Sequence, residues 1–375
     1  MGNIIFYVHD LRTSGVLRDT MMVAQSCAER HDTTVVAGYG DGFFRDAAER
    51  GSYRLKILRP AAGSVGPKLA VVPALRRWLR RQPPGVLVSM GNLGHATPYL
   101  ATRGMDHIRR IYRISNEVTR GDGLRGALRD IWMRLLIGDA ARLALVGSAL
   151  KRYPPFGLAV NRGHAVEVAS GVDCALARRL AQAPSPHRWF DEDIPVVLGI
   201  GRLRPQKNFD LLIDGIGRLA RTRAVRLIIV GGGTQQERAR LQQLAADHGI
   251  ADAFLLAGET DNIFAWAARA AVFALPSRWE GSSLALLEAL AVETPVVASC
   301  LAGDAVEVLD HGCYGLLFDG EDADALADAI ATQLSDHPIL PGARAQDYGL
   351  TGGVYLDLIE DALQRRPGAP FPMPA

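Results

Sequence analysis

Residues 196–221 read Val196-Val-Leu-Gly-Ile200-Gly-Arg202-Leu-Arg-Pro-Gln-Lys207-Asn-Phe209-Asp-Leu-Leu-Ile-Asp-Gly-Ile-Gly-Arg-Leu-Ala-Arg221. An apolar run comes first, a short basic loop follows it, and apolar residues then recur at helical spacing. A near-continuous apolar strand is typical of a parallel sheet that is covered on both faces, and the helix after the loop supplies part of that cover. The stretch therefore predicts one strand–loop–helix unit of an α/β fold.

The same alternation recurs on both sides of this unit. Strands are predicted at residues 3–8, 33–37, 54–58, 86–89, 108–114, 142–146, 165–168, 196–200, 226–230, 254–256, 272–275, 296–298 and 315–318, with helical patterns filling most of the gaps. Open parallel sheets bind ligands beyond the carboxyl ends of their strands. We therefore expect two facing doubly wound, Rossmann-like domains, with the functional site in the cleft between them.

A proline-rich segment suggests where one domain ends. The segment Ala183-Pro-Ser-Pro-His187 suits neither a helix nor a strand and reads as a linker. This predicts an N-terminal domain at residues 1–182, a C-terminal domain at 188–336, and a tail at 337–375. We expect the helical pattern at 352–365 in the tail to pack back toward the N-terminal domain.

Composition limits the class of protein. The 375 residues are 48% hydrophobic and 22% charged, which allows two ordinary globular cores. The four cysteines (27, 174, 300 and 313) form no Cys-x-x-Cys pair, as expected for reduced thiols in the cytosol. No signal peptide is recognised, and no apolar run approaches the roughly 20 residues that span a bilayer. We expect a cytoplasmic protein that can also meet the inner face of the membrane.

The net charge of +2 hides an asymmetry between the halves. Residues 1–180 hold 27 Lys and Arg against 14 Asp and Glu, a balance of +13, and the remainder has a balance of −11. The arginine-rich helical pattern at 75–81 would suit an anionic membrane surface, or it is the polar side of an ordinary helix. Attraction between the two halves is another reading of the asymmetry. Nucleic acid is not expected as a partner, because no recognised binding motif is present.

Two glutamates follow a predicted buried strand in Leu275-Pro-Ser-Arg-Trp-Glu280-Gly-Ser-Ser-Leu-Ala-Leu-Leu-Glu288. We expect Ser282 or Ser283 to cap a helix there, with free backbone N–H groups at 281–284 suited to an anionic or hydroxyl-rich ligand. Eight helical residues rise about 12 Å, so the two carboxylates would reach two ends of an elongated ligand. The alternative is that both lie on a solvated loop and helix face.

Basic residues follow another strand in Gly201-Arg202-Leu-Arg-Pro-Gln-Lys207-Asn208. Cations at the carboxyl end of a strand and beside a helix N-terminus favour a phosphate group. The alternative is a basic surface loop. A weaker signal is Gly15, between the first strand and the first helix, because glycine lets the backbone approach a phosphate.

Taken together, residues 196–330 resemble the donor domain of family-four retaining glycosyltransferases of the GT-B fold. The resemblance lies in the order and spacing of several short pieces: Gly201-Arg202-Leu203 with Lys207, Leu227-Ile-Ile-Val-Gly231, Pro276-Ser277 with Glu280-Gly281, Leu287-Glu288-Ala289, Thr294-Pro-Val-Val-Ala298 and Tyr314-Gly315-Leu316. The branch that it most resembles makes bacterial lipopolysaccharide and exopolysaccharide. The N-terminal half resembles the family more faintly.

The resemblance implies roles for the matching residues. Arg202 and Lys207 would neutralise the diphosphate of the donor, with help from the backbone of Gly15, so that no metal and no cofactor beyond the nucleotide sugar is needed. Glu288 would hold the ribose and Glu280 the donor sugar. Backbone groups of Gly281, Ser282, Ser283 and Leu284 would bind the sugar hydroxyls. Catalysis is assigned to Glu280, Arg202 and Lys207.

The acceptor side is less well marked. Asn116 and Glu117 follow a predicted strand, and His95 lies beside a predicted helix start, so these three residues are candidates for contact with the sugar or acceptor. The expected reaction moves a hexose from a UDP or GDP donor to a saccharide or lipid-linked saccharide.

The chain departs from the family pattern at Glu293, where glycine is usual, and at Ala302-Gly303-Asp304, where a Gly-Gly pair is usual. Two other readings therefore stay open. One is a non-catalytic protein that binds nucleotide sugars, and the other is a nucleotide-sugar epimerase on the same fold.

Overall fold

The computed structural model describes residues 1–12, 15–40, 42, 44–59, 67–91, 94–115, 124–349 and 352–364. The described chain forms two compact units. The first contains residues up to 169 together with the C-terminal helix, and the second contains residues 170–349.

The first unit is built on a parallel sheet of seven strands in the order β3-β2-β1-β4-β5-β6-β7. The strands are β1 (Asn3–Val8), β2 (Asp32–Tyr39), β3 (Arg54–Arg59), β4 (Gly85–Ser89), β5 (Ile108–Ile114), β6 (Arg142–Val146) and β7 (Ala165–Val168). The helices are α1 (Gly15–Ala28), α2 (Arg45–Glu49), α3 (Val72–Leu79), α4 (Ala96–Ala101), α5 (Leu124–Asp139) and α6 (Pro154–Asn161). Every residue of β1, β4 and β6 is buried, because helices cover both faces of the sheet.

The second unit has a parallel sheet of six strands in the order β10-β9-β8-β11-β12-β13. The strands are β8 (Val196–Ile200), β9 (Arg226–Val230), β10 (Phe254–Gly258), β11 (Val272–Leu275), β12 (Val296–Ser299) and β13 (Leu316–Phe318). The helices are α7 (Cys174–Ala181), α8 (Phe209–Leu219), α9 (Gln235–Asp247), α10 (Ile263–Ala267), α11 (Leu284–Ala291), α12 (Ala305–Val308) and α13 (Ala323–Gln333). Its core has two layers, one on each face of the sheet.

The last helix, α14 (Gly352–Gln364), packs on the first unit. The hydroxyl of its Tyr355 accepts a hydrogen bond from Arg113 Nε at 3.0 Å, and Arg113 also pairs with the buried Asp19. A buried charge is tolerated only when it is paired in this way. The C-terminal helix thus completes the apolar core of the first unit and a buried polar network within it.

All thirteen predicted strands are confirmed, and the prediction of two doubly wound α/β sheets is confirmed with them. The division between the units differs from the expected linker at 183–187. The side chain of Asn262 donates to the carbonyl of Leu180 at 2.9 Å, and Arg269 donates to Ala181 at 3.1 Å and to Ala183 at 2.5 Å. Because these bonds hold α7 and the proline-rich segment against α10, the segment lies within the second unit.

Close backbone contact shapes the carboxyl edge of the second sheet. The amide of Gly231, just after β9, donates to the carbonyl of Gly258 at 2.7 Å. Gly231 has φ of 156°, and a Cβ atom there would lie 1.8 Å from the carbonyl oxygen of Gly201. Only glycine allows the loops after β8 and β9 to approach this closely.

Replacing Gly231 with alanine should therefore lower the free energy of unfolding by about 3 kcal/mol, because backbone atoms of two loops must move apart. Gly249 is the matched control, since it also has a positive φ of 74° but nothing lies within 4 Å of an added Cβ. Gly249→Ala should cost only about 1 kcal/mol. Urea denaturation measures both. Equal losses for the two variants would contradict the close contact at Gly231.

Candidate functional site

Four loops of the second unit meet at one edge of its sheet. They are residues 201–208, 231–234, 276–283 and 300–304, which follow β8, β9, β11 and β12. These four strands are neighbours and parallel, so their carboxyl ends lie together. This is the edge at which open α/β sheets bind ligands.

The centre of the site is an ion pair between two of these loops. Lys207 lies at the end of a short helical turn, Pro205–Lys207, and its Nζ donates to Glu280 Oε1 at 2.6 Å. The two side chains are 17% and 9% exposed. The lysine side chain crosses the backbone of Gly201, where a Cβ would lie 2.7 Å from Lys207 Cε. Because Gly201 has no side chain, the side chain of Lys207 can pass over it and bring its ammonium group to Glu280.

Two further side chains fix the carboxylate of Glu280. The hydroxyl of Ser277 donates to Oε1 at 2.8 Å, and Gln206 Nε2 donates to Oε2 at 3.3 Å. Gln206 also donates to the carbonyl of Trp279 at 2.9 Å. Three hydrogen-bond donors on one buried carboxylate stabilise its negative charge and fix its orientation.

Backbone contacts join the same two loops. The amide of Arg278 donates to the carbonyl of Gln206 at 2.9 Å, and Arg278 Nη1 donates to the carbonyl of Pro205 at 3.0 Å. The guanidinium of Arg278 also pairs with Glu321. The loop after β8 and the loop after β11 therefore act as one positioned unit.

Helix α11 begins at this site. Of the two expected caps, Ser283 takes the position, and its hydroxyl accepts from the amide of Leu286 at 3.4 Å. Glu288 lies on the helix and is 5% exposed, so the alternative of a solvated helix face is wrong for it. Because the helix starts at Leu284, only part of the span from Glu280 to Glu288 is helical. The rise of eight helical residues therefore does not describe their separation.

Asp304 adds a buried carboxyl group to the edge. It is the last residue of the loop after β12, is 8% exposed, and accepts hydrogen bonds from the hydroxyl of Ser282 and the amide of Ser283. Its Oδ1 has no hydrogen-bond partner among the described residues. Burial raises the pKa of Asp304 to about 6, although the two serine donors act to lower it. One of the amides expected to bind sugar hydroxyls, that of Ser283, is thus already used.

The loop that carries Asp304 is pressed against the loop of Glu280. Gly303 has φ of 65°, and a Cβ there would lie 2.7 Å from the carbonyl oxygen of Glu280 and 2.8 Å from that of Gly281. A glycine is therefore required at 303, while the neighbouring position accepts the larger aspartate.

The other expected donor residues are placed as follows. Arg202 is exposed in the turn directly after β8. Gly15 is the first residue of α1 in the first unit, and its role toward a phosphate stays a prediction. Asn116 and Glu117 lie outside the described residues, and their roles stay predictions as well.

His95 is buried in the first unit, with 1% of its surface exposed. Its Nδ1 lies 2.7 Å from the hydroxyl oxygen of Ser89, and its ring meets Tyr112 edge to face at 5.3 Å. Burial lowers the pKa of His95 to about 3, so the imidazole is neutral at physiological pH. These contacts account for His95 as a packed residue, and contact with an acceptor stays a prediction.

Sequence reasoning named Glu280 and Lys207 but gave no role to Ser277, Gln206 or Asp304. Both Ser277 and Gln206 lie within the motifs that contain the ion pair. Ser277 is three residues before Glu280, and Gln206 is one residue before Lys207. Asp304 was noted only as a departure from a glycine. That departure was the available signal, because a carboxylate in place of glycine in an apolar loop needs a partner.

Among the described residues, no group of three or more His, Cys, Asp or Glu side chains could hold a metal ion. The three consecutive acidic residues Asp191, Glu192 and Asp193 precede β8, and Glu192 pairs with Arg226 at 2.5 Å. The expectation of a metal-free site stays a prediction.

A family model described as "Glycosyl transferases group 1" matches residues 194–336, which contain every element of the site described above. Residues 194–336 are therefore similar to the glycosyl transferases of this family. The Lys207–Glu280 pair, the start of α11 and Asp304 all lie in the part of the chain that matches this family, at the carboxyl edge of the second sheet.

Curated relatives each match less than half of the chain. A "GDP-mannose-dependent alpha-(1-6)-phosphatidylinositol monomannoside mannosyltransferase" of Mycobacterium tuberculosis (strain CDC 1551 / Oshkosh) is 36% identical over 180 residues, which cover 45% of this chain and 46% of the relative. A "Lipopolysaccharide core biosynthesis mannosyltransferase LpsB" of Rhizobium meliloti (strain 1021) is 36% identical over 157 residues, covering 40% and 44%. The chain spans less than half the length of the curated relatives it matches.

Solved structures match nearly the whole chain. Anabaena Alr3699/HepE in complex with UDP and glucose superposes with a TM-score of 0.79 at 19% identity, covering 96% of this chain and all of that one. WaaG, described as a glycosyltransferase involved in lipopolysaccharide biosynthesis, superposes with a TM-score of 0.72 at 16% identity and covers 95% of this chain. The two Rossmann-like units therefore have the GT-B fold that the sequence predicted.

The buried carboxyl of Asp304 should make stability depend on pH. Because its pKa is about 6 in the fold and 3.8 ordinarily, the folded protein binds more protons than the unfolded chain between these values, and stability falls as pH rises through this window. Asp304→Asn removes this titration. Relative to wild type, the variant should gain about 2 kcal/mol in free energy of unfolding on going from about pH 4 to about pH 7.

Urea denaturation at both pH values measures this change, since all other groups cancel in the difference. Asp336→Asn, which replaces an exposed carboxyl of the same unit, is the matched control and should show no such gain. A difference between wild type and Asp304→Asn that is the same at both pH values would contradict the buried, ionisable state of Asp304.

Proposed function

We propose that this protein is a glycosyltransferase that moves a hexose from a UDP or GDP sugar to a saccharide or lipid-linked saccharide acceptor. The observation that carries the proposal is the Lys207–Glu280 pair. It places a cation and an oriented carboxylate together at the carboxyl edge of the second sheet, in the part of the chain that matches the glycosyl transferases.

Lys207 is suited to the donor diphosphate. An ammonium group has three N–H donors, and one of them is used by Glu280, so the group can bind a phosphate oxygen without leaving its partner. Arg202, in the turn after the same strand, supplies a guanidinium whose fork fits a phosphate. Two cations would offset the charge that builds up on the leaving diphosphate as the bond to the sugar breaks, which favours a reaction that needs no metal ion.

Glu280 is suited to the sugar. Its carboxylate is already held by Lys207, Ser277 and Gln206, so little reorganisation is needed when a sugar hydroxyl donates to it. The buried Glu288 is assigned to the ribose hydroxyls, and the backbone of Gly281, Ser282 and Leu284 to the hydroxyls of the sugar. Transfer is proposed to retain the anomeric configuration by attack on the face that the diphosphate leaves, with the leaving phosphate as the base.

The names of similar proteins indicate which donors to test. The HepE structures contain UDP or UDP-glucose, and the mycobacterial relative is named as GDP-mannose-dependent. UDP-glucose and GDP-mannose are therefore the first two donors, with simple saccharides and lipid-linked saccharides as acceptors.

The test starts with a calorimetric titration of UDP and GDP into the protein without metal and then with EDTA present. Binding of one diphosphate that EDTA leaves unchanged supports the proposed metal-free site. Turnover of the matching nucleotide sugar is then followed with and without acceptor. Turnover without any acceptor would point to an epimerase, and donor binding with no turnover would point to a non-catalytic binder. Loss of binding in EDTA would overturn the metal-free mechanism.

Lys207→Ala should raise the dissociation constant of the nucleoside diphosphate by roughly 10-fold to 150-fold, because a charge-assisted hydrogen bond contributes about 1.5–3 kcal/mol. The matched control is Arg221→Ala, which removes one positive charge from an exposed position at the end of α8. It should bind the diphosphate like wild type. Wild-type affinity in Lys207→Ala would refute the assignment of Lys207 to the diphosphate.

A further inference from the structure

Two large apolar side chains are exposed in the loops at the carboxyl edge of the second sheet. Trp279, in the loop after β11, is 42% exposed, and Leu301, in the loop after β12, is 47% exposed. Among the described residues of the second unit, the other exposed large apolar side chain is Leu340. Apolar side chains that are exposed close together, and continuous with a polar site, mark a surface that binds something.

The loops of Trp279 and Leu301 touch each other beside Glu280. A Cβ atom on Gly303 would lie 2.7 Å from the carbonyl oxygen of Glu280. The backbone two residues after Leu301 therefore packs on the residue that follows Trp279. Because neighbouring Cα atoms are about 3.8 Å apart, both apolar side chains start within a short distance of the carboxylate and can contact one ligand together with it.

The backbone on both sides of the indole is held, so the exposure of Trp279 is a fixed feature of the loop. Gln206 Nε2 donates to the carbonyl of Trp279 at 2.9 Å, and the amide of Arg278 donates to the carbonyl of Gln206 at 2.9 Å. On the other side, Glu280 is held by its ion pair with Lys207. A side chain carried on such a backbone is preorganised for a ligand.

The indole of Trp279 differs from those of the other four tryptophans. Among the described residues it forms no hydrogen bond through its N–H and no contact with another ring. Each of the others has a partner: Trp78 packs against the core around Leu75, Trp132 meets Tyr99, Trp189 lies against Arg226, and Trp266 meets Phe190. Tryptophan normally packs its ring and gives its N–H a partner, so both remain available for a ligand at Trp279.

The polar groups beside this surface indicate which ligand fits it. The carboxylate of Glu280, paired with Lys207, directly follows Trp279, and Asp304 ends the loop of Leu301. A hexose has hydroxyl groups around its edge and C–H groups on its faces, so it can donate to a carboxylate while one face packs on an indole. A lipid chain would leave the charged groups without polar contacts. Among the described residues no helix is long and apolar enough to cross a membrane. The surroundings therefore favour a sugar.

We propose that the indole of Trp279, with Leu301 beside it, packs against the C–H face of the donor hexose whose hydroxyls bind Glu280. This inference rests on the proposed function and adds to it a residue that recognises the sugar separately from the nucleotide. An axial hydroxyl on the packed face would hold the ring away from the indole, so the contact also selects among hexoses.

The test compares each nucleoside diphosphate with its nucleotide sugar by calorimetry, using UDP with UDP-glucose and GDP with GDP-mannose. Trp279→Ala should raise the dissociation constant of the nucleotide sugar about tenfold, because the indole and the sugar face no longer bury each other. The constant for the diphosphate should stay within about twofold of wild type, since that contact is independent. Trp279→Phe keeps an aromatic face and should recover most of the loss. Leu340→Ala, at a site 59% exposed in the same unit, is the matched control and should leave both constants unchanged.

Acrylamide quenching of tryptophan fluorescence gives a second measurement. The nucleotide sugar should protect wild type more than the diphosphate does, and this difference should vanish in Trp279→Phe. A difference that persists in Trp279→Phe would assign the protection to another tryptophan and overturn the proposal.

Two calorimetric results would also overturn it. One is a nucleotide sugar that binds Trp279→Ala as it binds wild type. The other is an equal loss for the diphosphate and the nucleotide sugar, because the indole would then contact the nucleotide. In both cases wild type still binds the donor. Failure of the proposed function is distinct, since wild type itself would then bind neither the diphosphates nor the nucleotide sugars.

Discussion

The hydrogen-bonded ion pair between Lys207 and Glu280 joins two loops that are 73 residues apart in the chain. It forms only because β8 and β11 are neighbours and parallel, which brings the ends of both strands to one edge. A buried pair of this kind contributes little net stability, since desolvation offsets the attraction. Its main contribution is to position the two side chains, because removing either partner leaves the other charge buried and unpaired.

Much of the fold could be predicted because its strands are buried on both faces. Such strands are short apolar runs bounded by loops, and this local signal located all thirteen of them. The boundary between the units was not predictable in the same way. The prolines at 184 and 186 look like a linker, but side chains of Asn262 and Arg269 bind the backbone next to them. Those donors lie roughly 80 residues further along the chain, so no local sequence pattern predicts these hydrogen bonds.

The residues of the site can be divided in the same way, into those that a local sequence pattern predicts and those that depend on distant contacts. Glu280 and Lys207 were predictable, because each lies in a motif that follows a strand and starts a helix. Ser277, Gln206 and Asp304 gain their roles from contacts between loops, which sequence spacing cannot supply. Asp304 is the clearest example, since the serines that bind its carboxylate are about 20 residues earlier, on the loop of another strand. The structure therefore explains the departure from glycine at this position: Asp304 is a buried acid held by the loop that carries Glu280.

Two energetically unfavourable features, a strained backbone residue and a buried carboxyl group, lie at this edge of the second sheet. Asn208, directly after Lys207, is the one buried non-glycine residue with positive φ (51°) among those described; the others, at 293, 310 and 311, are exposed. Such a conformation costs roughly 1–3 kcal/mol, and the buried carboxyl of Asp304 adds a cost of its own above its pKa. Sequences that fold well accept violations of this kind mainly where function requires them. The strained backbone and the buried acid therefore mark the same edge as the ion pair, on grounds that do not depend on any similar protein.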